Sequence, residues 1–228
     1  MQITDVHRPS NRISGLLGAL GALLLFVGDL LLYGHWGSGA DFRNGMSATV
    51  VQASLVRLFA GGLLGIPGAC LGLFGCWHVS QNVSVQSPRA SRVVFLALSA
   101  MMVAIGAVHV LWVPRGLALK YAAQASSSAP ELLTALRDYW VAADVFAQGP
   151  GYLAAILMFG LVLLGRTPYS RWTALANPGV LIVGVEPLAH HCPAPVGAAL
   201  VGGFSNVALT VFFLVSVAST WSRPEASP

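Results

Sequence analysis

Apolar residues follow one another along this chain in long blocks, and polar residues gather at the block ends. Crossing the hydrocarbon layer as a helix takes about 20 consecutive, mostly apolar residues. Six blocks meet that length: about 13–33, 50–78, 93–113, 132–164, 172–188 and 196–219. The fifth is interrupted by Asn177-Pro178 near its start and Glu186-Pro187 near its end, so a re-entrant segment is the alternative there. Proline also stands inside the second block at Pro67 and inside the fourth at Pro150. It removes one helix hydrogen bond and crowds the carbonyl four residues back, which predicts a bend at Pro67 and a kinked or broken helix at Gly149-Pro150-Gly151. The predicted fold is an all-α bundle of six transmembrane helices in a single domain, 1–228, with both termini on one side.

The small and polar positions inside the blocks share faces. Gly61, Gly65, Gly68, Gly72 and Gly75 are spaced 4, 3, 4 and 3, a single stripe that lets another backbone approach closely. Such a stripe suits either a neighbouring helix or a homo-oligomeric seam. Arg57 lies four residues before Gly61, and Asp29 continues the line Gly15, Gly18, Ala22, Leu25. His109 continues Ser99, Met102 and Gly106, Asp144 sits between Trp140 and Ala147-Gly151, and Asn206 follows Gly202 by four. Each polar side chain is therefore expected to point into one bundle interior.

Composition excludes the soluble classes. Only 9% of the 228 residues are charged, against about 25% in soluble domains, so the chain has too little charge to cover a water-facing surface. A soluble enzyme, a nucleic-acid binder and a disordered protein are ruled out. The net charge of +4 belongs to loop arginines instead. On the six-span map seven basic residues (Arg8, Arg12, Arg89, Arg92, Arg166, Arg171, Arg223) face one side and four (Arg43, Arg115, Lys120, Arg137) the other, which places both termini in the cytoplasm. Trp36, Trp112 and Trp140 would mark the outer boundary, and Trp77, Trp172 and Trp221 the inner one. Arg8 and Arg12 precede an apolar run of about 20 residues, longer than the 7–15 of a signal peptide, so it is read as an uncleaved span. Cys70 and Cys76 read as small core residues and Cys192 as a loop residue, with no disulfide framework.

Charged groups in the hydrocarbon cost about 2.5–3.5 kcal/mol each, so Asp29, Arg57, His109 and Asp144 need a reason to be there. One reason is an ion pair, with Arg57 satisfying Asp29 or Asp144. The other is a hydrated or ligand-filled cavity in the outer half. There Arg57 would hold one aspartate charged and leave the other protonated, supplying a base and an acid, with His109 as shuttle. Tyr33, Trp140, Gln148, Glu186 and Asn206 are the candidate ligand-contacting residues. His190-His191-Cys192, even with His35 and Asp41, lacks a recognised metal-ligand spacing, and no cofactor motif is present. No metal and no cofactor is expected.

The phrases Gly28-Asp29 to Tyr33-Gly34, Arg57-Leu58 with Gly61-Gly62 and Gly65, Gly106 to His109, Pro168-Tyr169 before Trp172, and Gly202-Gly203 with Asn206 resemble a group of small uncharacterised bacterial integral membrane proteins. The resemblance covers most of the chain. It implies a multi-pass protein of the bacterial inner membrane and no particular activity. Three functions are then expected, in this order. The first is a membrane-embedded enzyme that isomerises or cyclises an isoprenoid-like molecule in an outer-leaflet cavity. The second is a protein that binds or carries a lipid or small lipophilic solute without chemistry. The third is a structural subunit.

Overall fold

The computed structural model of the protein describes residues 11–124 and 130–221, and every regular element among them is helical. Five stretches are long and apolar enough to cross a membrane: α1 (Asn11–Leu32), a stretch from Leu55 to Ser84, α5 (Pro88–Gln124), α6 (Pro130–Leu163) and α9 (Gly197–Thr220). The second stretch is two helices, α3 (Leu55–Leu63) and α4 (Gly65–Ser84), joined at Leu64. Pro67 has no N–H to give the Leu63 carbonyl, which accounts for a break at that turn. Val50, expected to open this span, belongs instead to a short helix, α2 (Phe42–Gln52). Ser54 then starts α3 by accepting a hydrogen bond from the Arg57 N–H at 3.2 Å.

The segment 172–188 is not the single helix expected. It comprises a 3-10 turn (Arg171–Ala176), α7 (Pro178–Gly184) and α8 (Glu186–Ala189). Asn177 makes the first break. Its side chain accepts from the Gly179 N–H and donates to the Ala155 carbonyl of α6, both at 2.9 Å, so it caps α7 and ties it to α6. Pro178 and Pro187 sit in the first turns of α7 and α8, where a missing N–H costs nothing. By contrast α6 runs through Pro150 without interruption. The bundle thus breaks near Pro67 and at Asn177-Pro178, and α6 stays continuous over Gly149-Pro150-Gly151.

The broken segment still joins the two ends of the bundle. At one end His78 Nδ1 meets the Asn11 carbonyl at 2.6 Å, and the Ser87 hydroxyl donates to the Arg166 carbonyl at 3.0 Å. The Arg12 guanidinium lies 5.0 Å from the Trp221 ring at that same end. At the far end the Gly39 N–H donates to the Cys192 carbonyl at 2.9 Å, and the Ala198 N–H to the Gly37 carbonyl at 3.0 Å. Among the described residues, five long apolar helices and the short pieces of 171–189 make up the bundle between these ends.

The glycine stripe is consumed within the chain. Gly61, Gly68 and Gly75 face α1, and Gly65 and Gly72 face α5. A Cβ on Gly68 would stand 2.9 Å from Leu25 Cγ, and one on Gly65 would collide with His109 Cβ. Of the two uses the stripe suits, the neighbouring helix is the one these contacts show. Around it Leu25, Val79, Met102 and Phe213 are buried in one cluster. Cys76 is in that core, whereas Cys70 is exposed, a correction to its expected burial.

At 37 residues α5 is about 55 Å long, well beyond a hydrocarbon layer of about 30 Å. Residues 115–124, beyond the apolar block at 93–113, continue that helix. The next helix, α6, begins at Pro130, just before the block at 132–164. It ends on Gly165, whose φ of +66° places it in the left-handed region. The Gly165 and Arg166 N–H groups donate back to the Val162 and Leu161 carbonyls at 3.1 and 2.8 Å, a glycine-terminated helix end.

Candidate functional site

Four polar side chains from three helices meet at Asp29. His109 of α5 places Nε2 3.2 Å from Asp29 Oδ1. Asn206 of α9 donates from Nδ2 to Asp29 Oδ2 at 2.7 Å, and the Tyr33 hydroxyl, one turn along from Asp29, donates to Oδ1. Asp29, Asn206 and His109 are all at most 5% exposed. His109 faces only acceptors, with Nδ1 3.1 Å from the Ile105 carbonyl and Nε2 also 3.2 Å from the Leu25 carbonyl. Each ring nitrogen thus has an acceptor in reach, whichever carries the proton. The approach depends on small residues: Gly28 packs on the His109 ring, and Gly65 on its Cβ.

Arg57 is not part of this group. Its Nε donates to the Leu31 carbonyl at 2.8 Å, and its Nη2 to the carbonyls of Leu30 and Gly34 at 3.1 and 2.6 Å. It therefore caps the C-terminal end of α1, where carbonyls lack intrahelical partners and the helix dipole favours a cation. The expected pairing of Arg57 with Asp29 or Asp144 is corrected accordingly. Lys120 does the same for α2, donating from Nζ to the Val51 carbonyl at 2.6 Å. Both cations have left the carboxylates and gone to helix ends.

Asp144 belongs to a second polar line, on α6. Gln148 donates to Asp144 Oδ2 at 2.8 Å, and the Tyr152 hydroxyl donates to Gln148 Oε1 at 3.0 Å. Residues 144, 148 and 152 are successive fours on one face, a spacing visible in the sequence, yet Tyr152 was not among the expected site residues. Asp144 lies within electrostatic reach of Asp29 and His109 without a hydrogen bond to either.

The line ends at a cavity. About 540 Å³ of empty space lies between α5, α6, α7 and α9, with Leu98, Met101, Ile105, Met158, Leu209 and Phe212 on its wall. Polar side chains reach it only from Gln148, Tyr152, Asn177 and Ser205. Of the expected catalytic residues, Asp29, Asp144, His109 and Arg57, none lines it; of the expected ligand contacts, Gln148 does and Tyr33, Asn206, Trp140 and Glu186 do not. Glu186 sits half-buried at the start of α8. Trp140 stacks at 4.9 Å on Trp112, which itself stands 4.8 Å from the Tyr33 ring. Trp112 is thus buried in the protein. Among the described residues no three His, Cys, Asp or Glu side chains come together as metal ligands, His190-His191-Cys192 included.

No curated protein and no solved structure matches the chain. A family model does, over residues 1–222, and with nearly its whole length covered the chain belongs to a family of unknown function (DUF6796).

Proposed function

We propose that this protein binds a lipophilic small molecule in the cavity between α5, α6, α7 and α9, and that binding without chemistry is its primary activity. The observation that carries this reading is the cavity itself. Its wall is apolar, with a few polar groups gathered to orient one end, which is the make-up of a small-molecule site. The broken segment supports it, because interrupted helices inside a membrane belong beside protein or a cavity. The acid–base reading loses its main support, since Asp29 already receives Tyr33, Asn206 and His109 and stands off the cavity wall. What remains to favour it is Asp144, one hydrogen bond behind Gln148.

The test uses a C15 isoprenoid alcohol as probe. Wild-type protein in neutral detergent should show a dose-dependent rise in melting temperature. Ser205→Phe, which projects a ring into the cavity from α9, should melt near the wild type without probe and lose that rise. An unchanged rise in Ser205→Phe would sink the binding reading. Conversion of the alcohol by wild type but not by Asp144→Asn would instead favour the enzyme.

We further propose a bacterial inner-membrane location with six crossings and both termini cytoplasmic. The close approach of Arg12 to Trp221 supports it, as do the five long apolar helices and the arginine asymmetry. Reporter fusions at Arg89, Arg166 and the C-terminus should read cytoplasmic, and fusions at Asp41 and Lys120 should read outer. A C-terminal fusion reading outer while Arg166 reads inner would overturn the six-crossing topology.

A further inference from the structure

A second polar site stands at the far end of the bundle, away from the apolar cavity. Ser47, Arg115, Leu119, Leu133, Thr134, Leu136 and Arg137 enclose about 550 Å³ of empty space where α5 and α6 project together. Arg115 rests against a pair of indoles, its guanidinium carbon 4.3 Å from the Trp112 ring and 4.6 Å from the Trp140 ring. Stacking holds a guanidinium by its faces and leaves its N–H edge free. That edge is not used: Arg115 Nη1 is buried with no acceptor, and so is the Nε1 of Trp140. Two buried donors in one stacked cluster lack partners that native structures almost always provide.

The charge is equally unbalanced. Among the described residues Arg115 makes no ion pair, and Arg137 is close enough to repel it. The one carboxylate in contact, Asp138, pairs with Arg137 at 2.9 Å, with both side chains 62% exposed. An exposed pair of that kind contributes little. Glu131 and Asp138 line the adjoining surface hollow instead of this one. The depth of the site is informative as well. Counting about 20 helical residues from Arg92, the last charge before the apolar run of α5, reaches Trp112. Arg115 therefore stands one turn beyond the hydrocarbon, at the level of lipid headgroups.

We infer that this pocket binds a phosphate-type oxyanion, held by the guanidinium edges of Arg115 and Arg137 with the Ser47 and Thr134 hydroxyls on its wall. A planar guanidinium fork matches phosphate oxygens, and an anion in this pocket gives Arg115 an acceptor and relieves its repulsion with Arg137. The chemistry is common to a phospholipid headgroup and a free phosphate, and the experiment separates them. Delipidated full-length protein in neutral detergent is titrated with phosphatidylglycerol, with diacylglycerol and with inorganic phosphate, and binding is read by melting temperature and native mass spectrometry.

Phosphatidylglycerol should stabilise the wild type and diacylglycerol should not, which assigns a lipid headgroup. Stabilisation by inorganic phosphate alone assigns a soluble anion and equally supports the site. Arg137→Gln, on an exposed position where folding is not at stake, should bind the effective anion at least about tenfold more weakly, the equivalent of one charge-assisted hydrogen bond. Arg115→Gln should abolish binding if it folds. The inference is overturned if neither anion stabilises the wild type, or if Arg137→Gln binds as the wild type does.

Discussion

Asp29→Leu should cost about 3–5 kcal/mol of stability, the loss expected when one partner of a buried charge pair is removed. The substitution strands three donors at once. His109 Nε2 keeps only the Leu25 carbonyl, the Tyr33 hydroxyl keeps a long 3.3 Å contact to the Gly202 carbonyl, and Asn206 Nδ2 keeps nothing. Asp29→Asn should be milder because an acceptor remains for Tyr33. The double mutant Asp29→Leu with His109→Leu should recover part of the loss but not all of it, since the tyrosine and the asparagine still lack their acceptor. Arg57→Met should destabilise through the α1 end, and its coupling to Asp29→Leu should be smaller than that of His109→Leu, because Arg57 and Asp29 share no side-chain contact. Thermal and denaturant unfolding in detergent reads all of these. An Asp29→Leu protein as stable as wild type would remove the buried polar group as an organising feature.

Gly75→Leu should be at least as damaging. A Cβ on Gly75 would stand 2.8 Å from the Gly18 Cα and 2.7 Å from the Phe213 ring, and a Cβ on Gly18 would run into the Gly75 Cα. Overpacking usually costs about 1–3 kcal/mol when side chains can shift. Here the obstacle on one side is backbone, so α1 and α4 must separate along their length, and the loss should reach the top of that range or abolish the folded state. Gly160→Leu is the matched control on α6. Nothing lies within 4 Å of its Cβ position, so it should be neutral within about 0.5 kcal/mol. Equal melting temperatures for the two variants would mean that α1 and α4 are not held by close backbone approach.

The sequence allowed Asp29, His109 and Asn206 to be placed on interior faces, because small residues at helical spacing mark the sides where helices touch. It did not identify which groups pair. Charge alone assigns Arg57 to an aspartate, but the loop and α2 between α1 and α3 bring its guanidinium alongside the last carbonyls of α1. A free helix end competes for a cation as well as a carboxylate does, and hydropathy carries no record of it. The overlong α5 was hidden for a similar reason. Pro114 reads as a stop after Val113, yet one missing hydrogen bond inside a long helix is tolerated when both flanks are anchored, here by Trp112 and by Gly116 packed against Leu58. The apolar cavity had no sequence signature of its own. It arises where α7 is too short to fill the space beside α6 and α9, and only the Asn177-Pro178 break hinted at this.

That short passage also bears on how the protein is assembled in a cell. Insertion machinery sorts segments by hydropathy, and residues 171–189 carry Asn177, Glu186 and two prolines, so they make a poor candidate for independent release into lipid. Polar groups at the breaks need protein partners that lipid cannot supply, and the Asn177 side chain finds one on α6, already synthesised. Ala189 packs instead with Val201, Phe204 and Ala208 of α9, which leaves the ribosome afterwards. The interrupted passage therefore settles only once the helix made after it has arrived, and biogenesis of the whole bundle waits on its C-terminal span.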